Sequence, residues 1–308
     1  MVFGGAGWRT RRAAALLPVV AVLSLAGCML TGCTLTDGSD QDTRVRSAAQ
    51  ARVGGVEELR AGGHRFAVRC AGDEQDPPVL LVSDLATPME RDWDSVQGRI
   101  GASARVCAYD RRGVGRSGPA PRSQTFEDMA TDLRAVVGGL GLKPPLLLVA
   151  HGIGGMVAVT AMQQAPDLAG GLLLLDAAGP GYPQAALDAL AGSRRAGPER
   201  DTWARLLQPE SNREHLDGRQ AFAQAQAFRS LGPVPMVALT HSIAEHAPGT
   251  PGRRQADLES AWEAGQNGWL ALAGAGRLER VDLAGHDIAA DRPEVVVDRV
   301  TELLPAGD

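Results

Sequence analysis

The chain has 308 residues, 44% of them hydrophobic and 22% charged, and carries a formal net charge of −5. That balance suits a globular protein and excludes a nucleic-acid binder, which would need a basic face. The length fits one large α/β unit with an insertion as well as two smaller domains.

The N-terminus reads as a targeting segment. Arg9, Arg11 and Arg12 precede an apolar stretch from Ala13 to Ala26, interrupted once at Pro18. Leu25-Ala26-Gly27-Cys28 resembles a bacterial lipobox, and Leu30-Thr31-Gly32-Cys33 is a second match. The apolar run is short for a membrane span, and its flanks suit a signal peptide. Residues 1–27 are expected to be cleaved as a lipoprotein-type signal. Cys28 is the expected lipidation site because the apolar core ends at it, and Cys33 is the alternative. Removing three arginines and no acid would leave a more acidic chain, so attachment to a membrane would rest on the lipid and not on charge. Residues 28–55 are polar and rich in small side chains, as in a flexible tether. The expected location is the extracytoplasmic face of the cell membrane, with secretion as the alternative. Cys70 and Cys107 remain, free in such a compartment to pair or to stay as buried thiols.

Downstream, Val56–Leu59 and His64–Cys70 flank a glycine turn and read as two strands. Val79–Ser83 and Ala104–Tyr109 are short apolar runs suited to buried strands. Phe126 to Leu140 has helical spacing, with Phe126, Met129 and Leu133 on one face. Leu146–Ala150 predicts a strand, Ile153–Gln164 a helix closed before Pro166, and Leu172–Leu175 a strand ending at Asp176. Residues 177–232 lack strand texture and read as a helical insertion. Val234–Thr240, Gln255–Ala273, Leu278–Leu283 and Pro293–Leu304 predict strand, helix, strand and helix. This alternation implies a mostly parallel sheet with helices on both faces.

Four segments carry a resemblance. They are Asp110-Arg111-Arg112-Gly113-Val114-Gly115-Arg116-Ser117, Ala150-His151-Gly152-Ile153-Gly154-Gly155, Asp176 after a strand, and Gly285-His286-Asp287. In this order they resemble the α/β-hydrolase family from about Val56 to the C-terminus, which implies one domain over residues 56–308 with a lid at about 177–232. Cys70-Ala71-Gly72 and Val106-Cys107-Ala108-Tyr109-Asp110-Arg111 are similar to segments of secreted bacterial members, which implies a Cys70–Cys107 disulfide.

The resemblance places the nucleophile at position 152, on a strained turn between strand and helix. Glycine keeps such a turn but offers no oxygen for an acyl-enzyme. It further implies that His286 is the general base, with Asp176 as its acid partner and Glu245 as the alternative. The backbone N–H groups of Ala86 and Ile153 would be the oxyanion donors. The family's glycine-rich oxyanion loop reads Ser83-Asp84-Leu85-Ala86-Thr87-Pro88 here, and an Asp84 carboxylate would repel an oxyanion. His151 is expected to pack beneath the sheet edge. No metal-ligand spacing or dinucleotide loop is present, so no metal or cofactor is expected.

The expected protein is a degenerate hydrolase that binds a small apolar or ester-like ligand. The alternative is an active hydrolase of carboxylic esters or amides, using water activated by His286 or a non-standard nucleophile. A membrane, reached through the N-terminal lipid, is the other expected partner.

Overall fold

A computed structural model describes residues 50–305. The expected signal segment, the two candidate lipidation cysteines and most of the expected tether lie outside the described residues. Ala51 and Gly54, read as the end of the tether, are held by backbone hydrogen bonds to Gly98 and Cys70. The chain is thus already laid against the domain before the first strand.

Eight strands form one sheet: β1 (Glu57–Ala61), β2 (His64–Ala71), β3 (Pro78–Val82), β4 (Arg105–Tyr109), β5 (Leu146–His151), β6 (Ala169–Leu175), β7 (Gly232–His241) and β8 (Ala273–Val281). Their order is β1-β2-β4-β3-β5-β6-β7-β8. Only the β1–β2 hairpin and the β2–β4 pair are antiparallel, and every other neighbour is parallel. β8 begins five residues before the predicted strand. Its Ala273-Gly274-Ala275-Gly276 start has no branched side chains to signal it and is defined by pairing with β7.

The helices are α1 (Met89–Trp93), α2 (Gln97–Ile100), α3 (Phe126–Gly139), α4 (Gly154–Gln164), α5 (Tyr182–Ala189), α6 (Gly197–Leu206), α7 (Gly218–Ala225), α8 (Gly252–Leu272), α9 (Ile288–Asp291) and α10 (Pro293–Leu303). Alternate residues of β5 serve opposite layers: Leu146, Leu148 and Ala150 pack towards α3 and α4, Leu147 and Val149 towards α1, α2 and α10. Burial on both faces explains why these strands are unbroken apolar runs. Residues 177–232 hold α5, α6, α7 and connecting loops.

Cys70 and Cys107 form a disulfide, and they are direct partners in the antiparallel β2–β4 register. The bond closes 37 residues of sequence separation, which constrains the unfolded chain by about 3–4 kcal/mol. Reduction, or the Cys70→Ala/Cys107→Ala pair, is expected to lower stability by that order in a urea titration. An unchanged midpoint in dithiothreitol would contradict it.

Candidate functional site

The C-terminal edge of the parallel sheet is where the chain leaves each strand for a loop, and the chemistry-bearing side chains meet there. β5 ends at His151, and the turn into α4 places Gly152 at φ +53. Glycine at 154 is required by proximity: a Cβ there would lie 2.4 Å from the Val82 carbonyl oxygen.

At Gly152 itself the obstacle is a side chain. A Cβ would lie 2.0 Å from Asp84 Oδ1. The Asp84 carboxylate therefore fills the space a nucleophilic side chain would occupy. Its Oδ1 accepts a hydrogen bond from the Ile153 N–H at 2.7 Å, and its Oδ2 faces His286 Nε2 at 3.4 Å. Ala86, at φ 56, donates its N–H to Glu214 Oε1 at 2.6 Å. Both expected oxyanion donors are therefore already engaged, each by a carboxylate that binds an N–H more strongly than a neutral acceptor does. This corrects the expectation that these two N–H groups are open to a substrate.

The loop bearing Asp84 is rigidly held. Asp84 donates its N–H to Asp92 Oδ2 at 2.7 Å. Arg111 donates to the carbonyls of Ser83 and Asp84 and forms a two-point ion pair with Glu214, at 2.7 and 2.8 Å. Arg111 and Glu214 are both buried, so this pair is a structural clamp between the loop after β3 and the insertion. Asp110 caps the neighbouring loop, accepting from the N–H groups of Met89 and Arg116.

Asp176 follows β6 in the left-handed region (φ 43), a conformation aspartate tolerates better than most residues. It is 1% exposed. His286 donates from Nδ1 to Asp176 Oδ2 at 2.8 Å. The structure thus brings Asp176 and His286 together. Glu245 lies beside Gly285, with its Oε1 2.9 Å from the position of a Cβ there.

The same carboxylate has a second imidazole that sequence reasoning passed over: His241 at the end of β7 donates from Nδ1 to Asp176 Oδ1 at 2.8 Å. Its signal was present. Parallel pairing sets Leu175 opposite Leu239, so Asp176 falls level with Thr240, one residue short of His241, whose N–H it also accepts at 3.1 Å.

Burial opposes the charged forms at this site, but the hydrogen bonds and opposite charges outweigh it. His286, between Asp176 and Asp84, is raised to about 11. Burial works against the Asp84 anion too, yet the His286 hydrogen bond, the charges of His151 and His286, and the Ile153 N–H hold it well below the usual carboxylate range. At neutral pH the group is an imidazolium between two carboxylates, unable to take a proton from water.

His151 is buried, as expected, between the Asp92 carboxylate (3.3 Å) and the His286 carbonyl (3.1 Å). Asp92, His151 and Asp287 each place one donor atom within 4.8 Å of the others. Asp92 and His151 already spend theirs on each other, on the Asp84 N–H and on the His286 carbonyl.

A cavity of about 400 Å³ lies over Gly152, lined by Asp84, Ile153 and His286 from the sheet edge and by Tyr182, Trp203 and Leu206 from the insertion. The insertion is therefore one wall of the site.

A family profile described as "Alpha/beta hydrolase family" matches residues 79–299. An AB hydrolase superfamily protein of Gibberella zeae is 33% identical over 92 residues, which covers 29% of this chain and 28% of that relative's own length. An esterase from Thermogutta terrifontis superposes with a TM-score of 0.53 at 22% identity, covering 81% of this chain and 97% of the other. A hydrolase from Pseudomonas aeruginosa PA01 gives 0.57 at 18% identity, covering 82% and 99%. At these identities the structural likeness shows the fold alone.

Proposed function

Because the chain belongs to the α/β-hydrolase family, we propose that it is a non-hydrolysing member, one that takes up a small molecule in the cavity over Gly152 without serine-type acyl transfer. The observation that carries this reading is the Asp84 carboxylate, which fills the nucleophile's space and holds the Ile153 N–H. A glycine alone would only remove the nucleophile. A carboxylate in its place also repels the negative charge that develops on an acyl oxygen.

A second reading is favoured by one further contact: Asp84 Oδ2 faces the cavity beside His286. A hydrolase with a non-standard nucleophile, or with His286-activated water, would use these groups. It carries its own test. With His286 raised to about 11, the fraction of neutral imidazole grows roughly tenfold per pH unit towards that value, and water activation must grow with it. The proposed reading expects no labelling by a fluorophosphonate and no turnover of p-nitrophenyl acetate above a His286→Ala control from pH 6 to 10. Labelling of the native protein, or a His286-dependent rate climbing with pH, would displace it.

We propose in addition that Cys28 carries a lipid that holds the domain at the extracytoplasmic membrane face. Alkyne-palmitate incorporation is expected to vanish in Cys28→Ser and to persist in Cys33→Ser. The reverse pattern would move the anchor to Cys33.

A further inference from the structure

The wall of the cavity carries more charge than the Asp84–His286–Asp176 group accounts for. From Asp176 the polar chain continues outward. His241 bridges Asp176 and Glu259, at 2.8 and 3.2 Å. His246 in turn lies between Glu259 and Glu199, at 3.6 and 3.4 Å. Glu245 adds a fifth carboxylate to the lining. Against these stand three imidazoles, so the wall stays net negative even with all three protonated.

The rest of the lining is aromatic. Tyr182 packs edge-on against Trp203 and Trp262, with ring centroids 4.9 and 4.7 Å apart. Tyr182 is 6% exposed and lines the cavity, and its hydroxyl makes no hydrogen bond among the described residues. Burial first, and then the negative charges of Glu259, Glu199 and Asp176, keep the phenol protonated, and those three acids line the same cavity. The phenol ring therefore stands on the cavity wall as a neutral aromatic face beside acidic side chains.

We propose that the cavity binds a small organic cation, an alkylammonium or quaternary ammonium group, with its charge held by Glu259 and by the rings of Trp203 and Tyr182. This rests on the ligand-binding reading above and narrows its ligand class. A wall with more carboxylates than imidazoles repels an anion, and a neutral apolar guest would strip water from the carboxylates and return nothing. An organic cation offsets the charge and gains from the ring faces, by about 0.5–2 kcal/mol per aromatic contact. A bare metal ion fits less well. Among the described residues, the donor trio close enough to share one is Asp92, His151 and Asp287, which does not line the cavity.

The test is calorimetric titration of the intact protein with choline and with 3,3-dimethylbutan-1-ol, its neutral isostere. Choline is expected to bind at least about tenfold more tightly. Glu259→Gln should weaken choline about tenfold and Trp203→Leu about fivefold or more, with little effect on the alcohol. Trp203 is partly exposed, so its replacement leaves the fold intact should Glu259→Gln not. Equal binding of the two compounds, no binding of choline, or choline binding indifferent to both substitutions overturns the cation proposal. None of these results touches the non-hydrolysing reading, which is decided by fluorophosphonate labelling.

Discussion

A Gly152→Ser variant is expected to stay inert towards fluorophosphonate and p-nitrophenyl acetate, while Asp84→Gly/Gly152→Ser labels and hydrolyses the ester at least about 10²-fold faster than the parent. In the single variant the new Cβ would lie 2.0 Å from Asp84 Oδ1, at a backbone angle of φ +53. The serine is squeezed, and the Ile153 N–H remains bound to the carboxylate. Removing Asp84 clears the space and returns that N–H to a substrate. It also takes away one of the two carboxylates that hold His286 charged, leaving the 2.8 Å bond to Asp176. The imidazole then titrates lower and becomes a usable base at neutral pH. Recovery should fall short of a full serine hydrolase, because Glu214 still holds the Ala86 N–H. One missing oxyanion donor costs about 10²–10³ in rate. If the single variant labels as readily as the double, Asp84 is not the obstacle.

Glu214→Ala is expected to cost about 3–5 kcal/mol of folding stability, because it strands the buried Arg111 guanidinium. Glu214 is 0% exposed and binds Arg111 through both carboxylate oxygens, one of which also receives the Ala86 N–H. Its removal leaves a charge and a backbone donor without partners inside the fold. In a domain of this size the loss corresponds to a melting temperature lower by about 10 °C. Replacing both partners, as Arg111→Met/Glu214→Leu, should recover much of it, since no charge is then left uncompensated. A Glu214→Ala melting curve within about 2 °C of the parent would show that water reaches the pair. The contact also bears on function: Glu214 comes from the insertion, and through Arg111 it fixes the loop that presents Asp84.

Much of the architecture was legible in the chain. The unbroken apolar runs of β3, β5 and β6 could only be strands buried on both faces, and the texture change at Ala177 marked the insertion. The short helices α1, α2 and α9 were not anticipated, since four or five residues carry no periodicity to read. The start of β8 was missed for the related reason that alanine and glycine leave strand preference to the neighbouring strand.

At the site, Gly152, Asp176 and His286 could be named from motif order, and Asp84 could be flagged as repulsive to an oxyanion. His241 was overlooked because it falls where the resemblance led attention to an acid.

The fold, the absence of a hydroxyl at position 152 and the presence of an acid in the loop after β3 could all be read from residue order. These follow from residue identity and from apolar patterns that local chain geometry converts directly into strands and helices. Where that acid goes depends on packing between distant segments. Two strands, β4 and β5, separate Asp84 from Gly152 in the chain, and whether the carboxylate merely neighbours position 152 or fills the space beside it depends on an ångström-scale placement. Arg111, Glu214 and Asp92 set that placement through contacts that no local pattern encodes. The same holds for the run of carboxylates and imidazoles from Asp84 to Glu199, which loops from the sheet edge and the insertion assemble around one cavity.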